Sequence, residues 1–142
     1  MRTKRIAFCV LVLLFTATVI GLKFKDNLIR RFISLNKESL QNYAQEQLAG
    51  EDTLGRYGLW KTTCYPDAGM VEFLTSGAGL VPDSTYKGFY YSADDTHKPY
   101  AASEAVTLSQ TDENTVSWTD GTDNHGTSVR IMKNWFWFEA SF

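Results

Sequence analysis

The stretch STYKGFYYSADD, residues 84–95, gathers four aromatic rings around one glycine and then runs straight into two adjacent carboxylates. Rings interspersed with Thr and Ser favour an extended chain, in which successive side chains point to opposite sides. Alternation puts Tyr86, Gly88 and Tyr90 on one side and Lys87, Phe89 and Tyr91 on the other. Gly88 leaves a gap between two tyrosines, where a neighbouring ring or a ligand can approach the backbone. SADDTHKPY, which follows, is rich in Ser, Asp and Pro, so the segment reads as a strand ending in a loop.

The same pattern extends in both directions. Fifteen of the twenty aromatic residues, including all four tryptophans, lie beyond residue 50. Candidate strands are YGLWKTTCY (57–65), MVEFLT (70–75), YKGFYYS (86–92), AVTLS (105–109), TVSWT (115–119), TSVRIM (127–132) and WFWFEASF (135–142). The links PDAG, QTDEN and KN are short enough for hairpins, which makes sequential strands antiparallel neighbours in a meander. SGAGLVP, residues 76–82, reads as a loop between strands. Within the sheet Val71 and Phe73 oppose Glu72, Val116 and Trp118 oppose Ser117, and Val129 and Ile131 oppose Arg130. One face is therefore expected to be core and the other wet. The last strand departs from this, because Trp135, Phe136, Trp137 and Phe138 put rings on both faces. It is either covered twice or carries an exposed aromatic patch.

Upstream, residues 26–50 keep apolar side chains at helical spacing, with Asn36 interrupting the stripe and Gly50 standing where a C-terminal cap belongs. This connector is expected to be one or two amphipathic helices. Its first half, with Arg30 and Arg31 beside Phe32 and Ile33, suits a membrane surface; its second half, with Leu40, Ala44 and Leu48, suits packing on the β domain. Residues 6–22, IAFCVLVLLFTATVIGL, carry no charge and would span ~25 Å as a helix. With flanking lysines this is expected to act as an uncleaved signal anchor rather than a cleaved signal peptide. Three bases precede the span and five follow it by residue 37, so charge alone leaves the orientation open. Export of a long downstream domain puts the body outside.

Charge is unevenly distributed. Residues 1–37 hold eight bases and one acid, whereas residues 51–142 hold thirteen acids and six bases. An acidic body repels phosphate backbones, so no nucleic-acid partner is expected. Cys9 lies in the apolar run and Cys64 in the body, and the two are not expected to pair. No metal or other cofactor is expected. His97 and His125 stand alone, and TDGTDNHG, residues 119–126, lacks the alternation of a calcium loop. Neither a nucleophile elbow nor a phosphate-binding glycine loop occurs.

Two resemblances bear on function. An apolar N-terminal helix, an amphipathic extension and an antiparallel sheet resemble a type IV pilin in outline. Pilins, however, have a processed glycine ahead of the apolar segment, and Gly21 follows it here. VEFLTSGAGLVPDSTYKGFYYSADD, residues 71–95, resembles a stretch of small, uncharacterised bacterial membrane-anchored proteins over about a sixth of the chain. That family implies no activity.

The sequence thus points to an α+β chain: a transmembrane anchor (1–25), a helical connector (26–50) and an antiparallel β-meander of about six to seven strands (51–142). It would sit in the cell membrane by a single pass, bound to the bilayer through residues 6–22, with its C-terminal domain extracytoplasmic. The expected function is non-enzymatic capture of a protein or cell-surface partner through Tyr86, Tyr90, Tyr91, Asp94, Asp95, Trp135 and Trp137. The alternatives are an exported hydrolase using Cys64 or a histidine, and a surface subunit that self-assembles through its edge strands.

Overall fold

The computed structural model describes residues 27–80 and 83–142, with backbone only at Leu80 and Asp83. By its internal contacts the chain forms two units, residues 1–40 and residues 41–142. In the first, residues 27–35 are helical (α1) and Asn36 is a turn. Asn36 donates from its side-chain amide to the Phe32 carbonyl at 2.9 Å, while its own carbonyl accepts the Leu40 N–H at 2.9 Å. It closes one helix and opens the next. The next helix, α2, runs Lys37–Ala49 and stops at Gly50.

Eight antiparallel strands follow: β1 Leu54–Tyr57, β2 Trp60–Tyr65, β3 Met70–Leu80, β4 Asp83–Ser92, β5 Thr107–Gln110, β6 Thr115–Thr119, β7 His125–Met132 and β8 Trp135–Ser141. They form one sheet in the order β1-β2-β3-β4-β8-β7-β6-β5. Two four-strand meanders therefore meet along the β4–β8 pair, where Phe89 faces Trp137 and Tyr90 faces Phe136.

The observed fold corrects the expected one in several respects. Among the described residues the molecule is mostly β, one eight-stranded antiparallel sheet preceded by helical segments, and none of those helices is long and apolar enough to be the membrane helix of the expected α+β chain. Residues 57–65 do not form one strand; Gly58, at φ 58, turns the chain between β1 and β2. The SGAG run is not a loop but the outer part of β3, paired to β4 beyond a bulge at Thr75. Nor is the sheet a plain meander. The chain leaves β4 at the centre, crosses to the far edge as β5, and returns to the centre through β6, β7 and β8. The crossing covers the side that local alternation leaves wet at Glu72 and Arg130; Val116 and Trp118 lie on this side too.

Single-pass membrane placement is likewise not supported. Among the described residues no helix is long and apolar enough to cross a bilayer. The thirteen residues of α2 reach only ~20 Å, against a hydrocarbon core of ~30 Å. The extracytoplasmic location inferred from such an anchor is left without support by the described residues. The expected span at 6–22 lies outside the described residues.

Both faces of the sheet are packed. On one, Tyr43 of α2 reaches 5.1 Å from the Tyr57 ring and 5.9 Å from Phe73, and bonds Thr62 Oγ1 at 2.6 Å. Phe73 stacks on Phe89 at 4.7 Å, and Trp135 fills the space beside both. On the opposite face Met70, Tyr90, Phe136 and Phe138 form a second buried cluster. β8 thus has cover on both sides, the first of the two alternatives its rings allow.

Candidate functional site

The residues singled out in the sequence do not share one surface. Tyr91, Trp135 and Trp137 lie on the α2 face, and Tyr86 and Tyr90 on the other. Tyr90, Tyr91 and Trp135 are core, being 1%, 5% and 0% exposed, while Tyr86 and Trp137 are half-buried. Asp94 and Asp95 sit in the turn after β4, where each works on its own chain. Desolvation acts against Asp94, yet bonds from Lys98 Nζ at 2.7 Å, Ser92 Oγ at 2.7 Å and Thr96 Oγ1 at 2.8 Å outweigh it. They hold the carboxyl well below the usual range. Asp95, itself at φ 58, accepts the Asn134 N–H and one Arg130 N–H, each at 2.6 Å, which likewise depresses its pKa. Arg130 also lies over the Phe136 ring at 4.8 Å. Asp95 ties the β7–β8 turn to the end of β4.

The groups a hydrolase would need are kept apart. Cys64 lies on the α2 face, buried, with its thiol donating to the Gln47 carbonyl at 3.4 Å. Burial pushes its pKa up, which keeps it in the unreactive thiol form. His97 is on the other face, its Nδ1 2.8 Å from Ser128 Oγ. That serine is 1% exposed and also bonded to Tyr90 Oη at 2.5 Å, so no substrate carbonyl can reach it. His125 is the exposed first residue of β7, bonded to the Asp123 carbonyl at 2.7 Å. The acids of the 119–126 loop are consumed locally, Asp120 accepting from Thr122 and Asn124. Among the described residues no group of three His, Cys, Asp or Glu is placed to hold a metal ion.

What local reasoning missed is Glu72. It reads as a solvent-facing residue of β3, yet it is 5% exposed. The covering segment is the crossing chain, residues 96–102, which lies across the second face as a strap. The His97 ring meets Phe136 at 4.8 Å, Lys98 N donates to Tyr90 Oη at 2.8 Å, and Pro99 is buried. Tyr100 packs on Phe138 at 5.6 Å and stacks on Tyr86 at 5.4 Å with ring planes 12° apart. Ala101 N donates to Glu72 Oε2 at 3.3 Å. Burial raises the Glu72 pKa to about 7, the Ala101 N–H only partly opposing it. Ala101 and Ala102 have φ values of 55 and 50, a left-handed conformation costing about 1–2 kcal/mol per residue for a side chain with Cβ.

Beside the strap, on the same side of the sheet, the outer part of β3 and β4 carries a groove of about 430 Å³. Leu59, Lys61, Leu74 and Tyr86 line it together with residues 75–79. Ser76, Gly77, Ala78 and Gly79 are exposed; they pair with β4, whereas pairing with β2 ends at Leu74. Leu59 stands 92% exposed at the β1–β2 turn. Of the residues expected to bind, only Tyr86 belongs to this groove. Leu59 and Lys61 give no local signal, because a groove formed between two hairpins depends on their packing. No family model, curated protein or solved structure matches the chain.

Proposed function

We propose that the β domain is a non-enzymatic recognition module that takes an extended segment of a protein partner into the groove between Leu59 and Tyr86. The observation that carries this reading is the groove itself: apolar walls beside the part of β3 beyond Leu74, where pairing with β2 has ended and only the β4 side of the strand is bonded. An extended chain can pair with that edge through its own backbone, and sets one apolar side chain between Leu59, Leu74 and Tyr86. Lys61 supplies a cation at the wall, so a carboxylate beside that apolar side chain fits.

Photo-crosslinking from position 76 in the full chain tests the reading, with a crosslinker at Gln110 on the far edge as control. The expected result is a position-76 adduct that Leu59→Asp abolishes while control adducts are unchanged. Identical adducts from both positions, or adducts indifferent to Leu59→Asp, overturn it.

A second reading, self-assembly through edge strands, is favoured by β5, whose four residues are all exposed. Against it, antiparallel docking of a second copy turns Glu104 toward Asp112 and Glu113 of its neighbour, a like-charge contact. Sedimentation of the full chain over a range of concentrations separates the two.

A further inference from the structure

We infer that residues 96–102 form a gate controlled by Glu72: the strap lies closed while the carboxyl is protonated and opens when it ionises, releasing Tyr100 from Tyr86. The final step rests on the groove reading above, because Tyr86 is the groove wall that Tyr100 steadies. The gate itself stands independently of that reading.

Three features support it. Glu72 lies under the strap and receives a single long bond from it, that of Ala101 N at 3.3 Å. The groups that face it are phenolic: Tyr65 from β2, Tyr90 from β4 and Tyr100 from the strap. Arg130 of β7 lies beyond Tyr90, engaged with Asp95 and the Phe136 ring, and His97 is turned to Ser128. A carboxylate there has no cation to offset its desolvation, and lifting the strap returns it to water. The strap is also under strain where it crosses, with Ala101 and Ala102 both left-handed, so opening relaxes two unfavourable backbone conformations. Lastly, the Tyr100 ring is shared between Phe138 beneath it and Tyr86 beside it, which couples strap position to the groove.

The direction follows from linkage. A carboxyl whose pKa is raised in the closed state binds a proton there that the open state releases. The Glu72 contribution to closure is therefore fully present at acid pH and weakens as pH rises from the ordinary value of 4.5 to about 7, whereas His97, whose pKa burial lowers, acts in the opposite sense below its ordinary value of 6.5. Over the whole titration, from well below 4.5 to well above 7, the Glu72 contribution raises the open-to-closed ratio by up to about 300-fold.

Hydrogen exchange on the full chain between about pH 5 and about pH 8, corrected for the intrinsic rate of each amide, tests the gate. Lys98 and Ala101, whose amides bond to Tyr90 and Glu72, are expected to lose protection by up to about 70-fold between these two pH values. Core amides of β4 and β8, which exchange only on global unfolding, should stay far better protected than the strap, and Glu72→Gln should remove the loss of strap protection with rising pH. Unchanging strap protection in the wild type, or the same rise in Glu72→Gln, overturns the gate. If Glu72→Gln does not fold, the wild-type series decides alone. The Tyr86 ring signals, followed by NMR over the same range, are expected to shift with the strap. A titrating strap with a static Tyr86 overturns the link to the groove. Failure of the crosslinking experiment, by contrast, removes the groove and leaves the exchange result intact.

Discussion

Gly88 shows how one missing side chain permits a two-sided core. A Cβ there would lie 2.2 Å from the Phe73 carbonyl oxygen and 2.7 Å from the Phe138 ring. The gap between two tyrosines, visible in the sequence as room for a ring or a ligand, is filled by a ring. Because the nearer obstacle is main chain, Gly88→Ala is expected to cost about 2–3 kcal/mol in urea denaturation. Tyr90 is a buried residue whose hydroxyl accepts the Lys98 N–H and bonds Ser128, with burial pushing its pKa up to about 12. Tyr90→Phe leaves both partners short and should cost about 1–2 kcal/mol. Glu72 gives stability its pH dependence. Its pKa is raised on folding, so stability toward urea is expected to fall as pH climbs from 4.5 to about 7 and then level off. The ceiling is roughly 3 kcal/mol, lowered to the extent that the strap opens, and Glu72→Gln should flatten the profile.

Among elements, α2 was legible and the strap was not. Apolar spacing over 40–48 and a glycine at 50 announce a helix and its end, since both signals are local. Its seat on the sheet is fixed by Tyr43, through the Thr62 bond and the Tyr57 and Phe73 rings. Tyr43→Ala is expected to lower stability by about 2 kcal/mol, read as a shifted urea midpoint with an unchanged slope. The strap has no periodicity at all. Ser, Asp, Thr and Pro mark it as a loop, correctly, but nothing in it states that it crosses a sheet face. Its buried Pro99 and left-handed alanines become intelligible only with that face beneath them. β8 lay between these cases. Four consecutive rings announced two covers or one exposed patch, and the choice needed to know that β8 pairs with β4 on one side and β7 on the other.

At the scale of the whole sheet, the β4–β8 seam joins two halves far apart in sequence, Tyr91 facing Trp135 and Thr85 facing Ser141. Loop closure must precede those contacts, so folding is expected on the millisecond-to-second scale of non-local β proteins, seen in stopped-flow tryptophan fluorescence. The same topology makes each half incomplete. Fragments 41–98 and 99–142 would each present a seam strand as an open edge and half of each core. Each is expected to lack native near-UV dichroism alone and to regain it on mixing. Independent folding of either fragment would contradict a shared core.

By itself the sequence determined that residues beyond about 50 fold as antiparallel sheet, that the hairpins at PDAG, QTDEN and KN turn, and that α2 ends at Gly50, because alternation, turn residues and helical spacing act between near neighbours. Only the tertiary structure decided that the central pair is β4–β8, that the supposedly wet face is a second core, and that Glu72 is buried. Each depends on where residues 93–106 travel. That path is set by the apolar surface left open once both halves meet, a quantity that belongs to the assembled sheet and to no stretch of the chain.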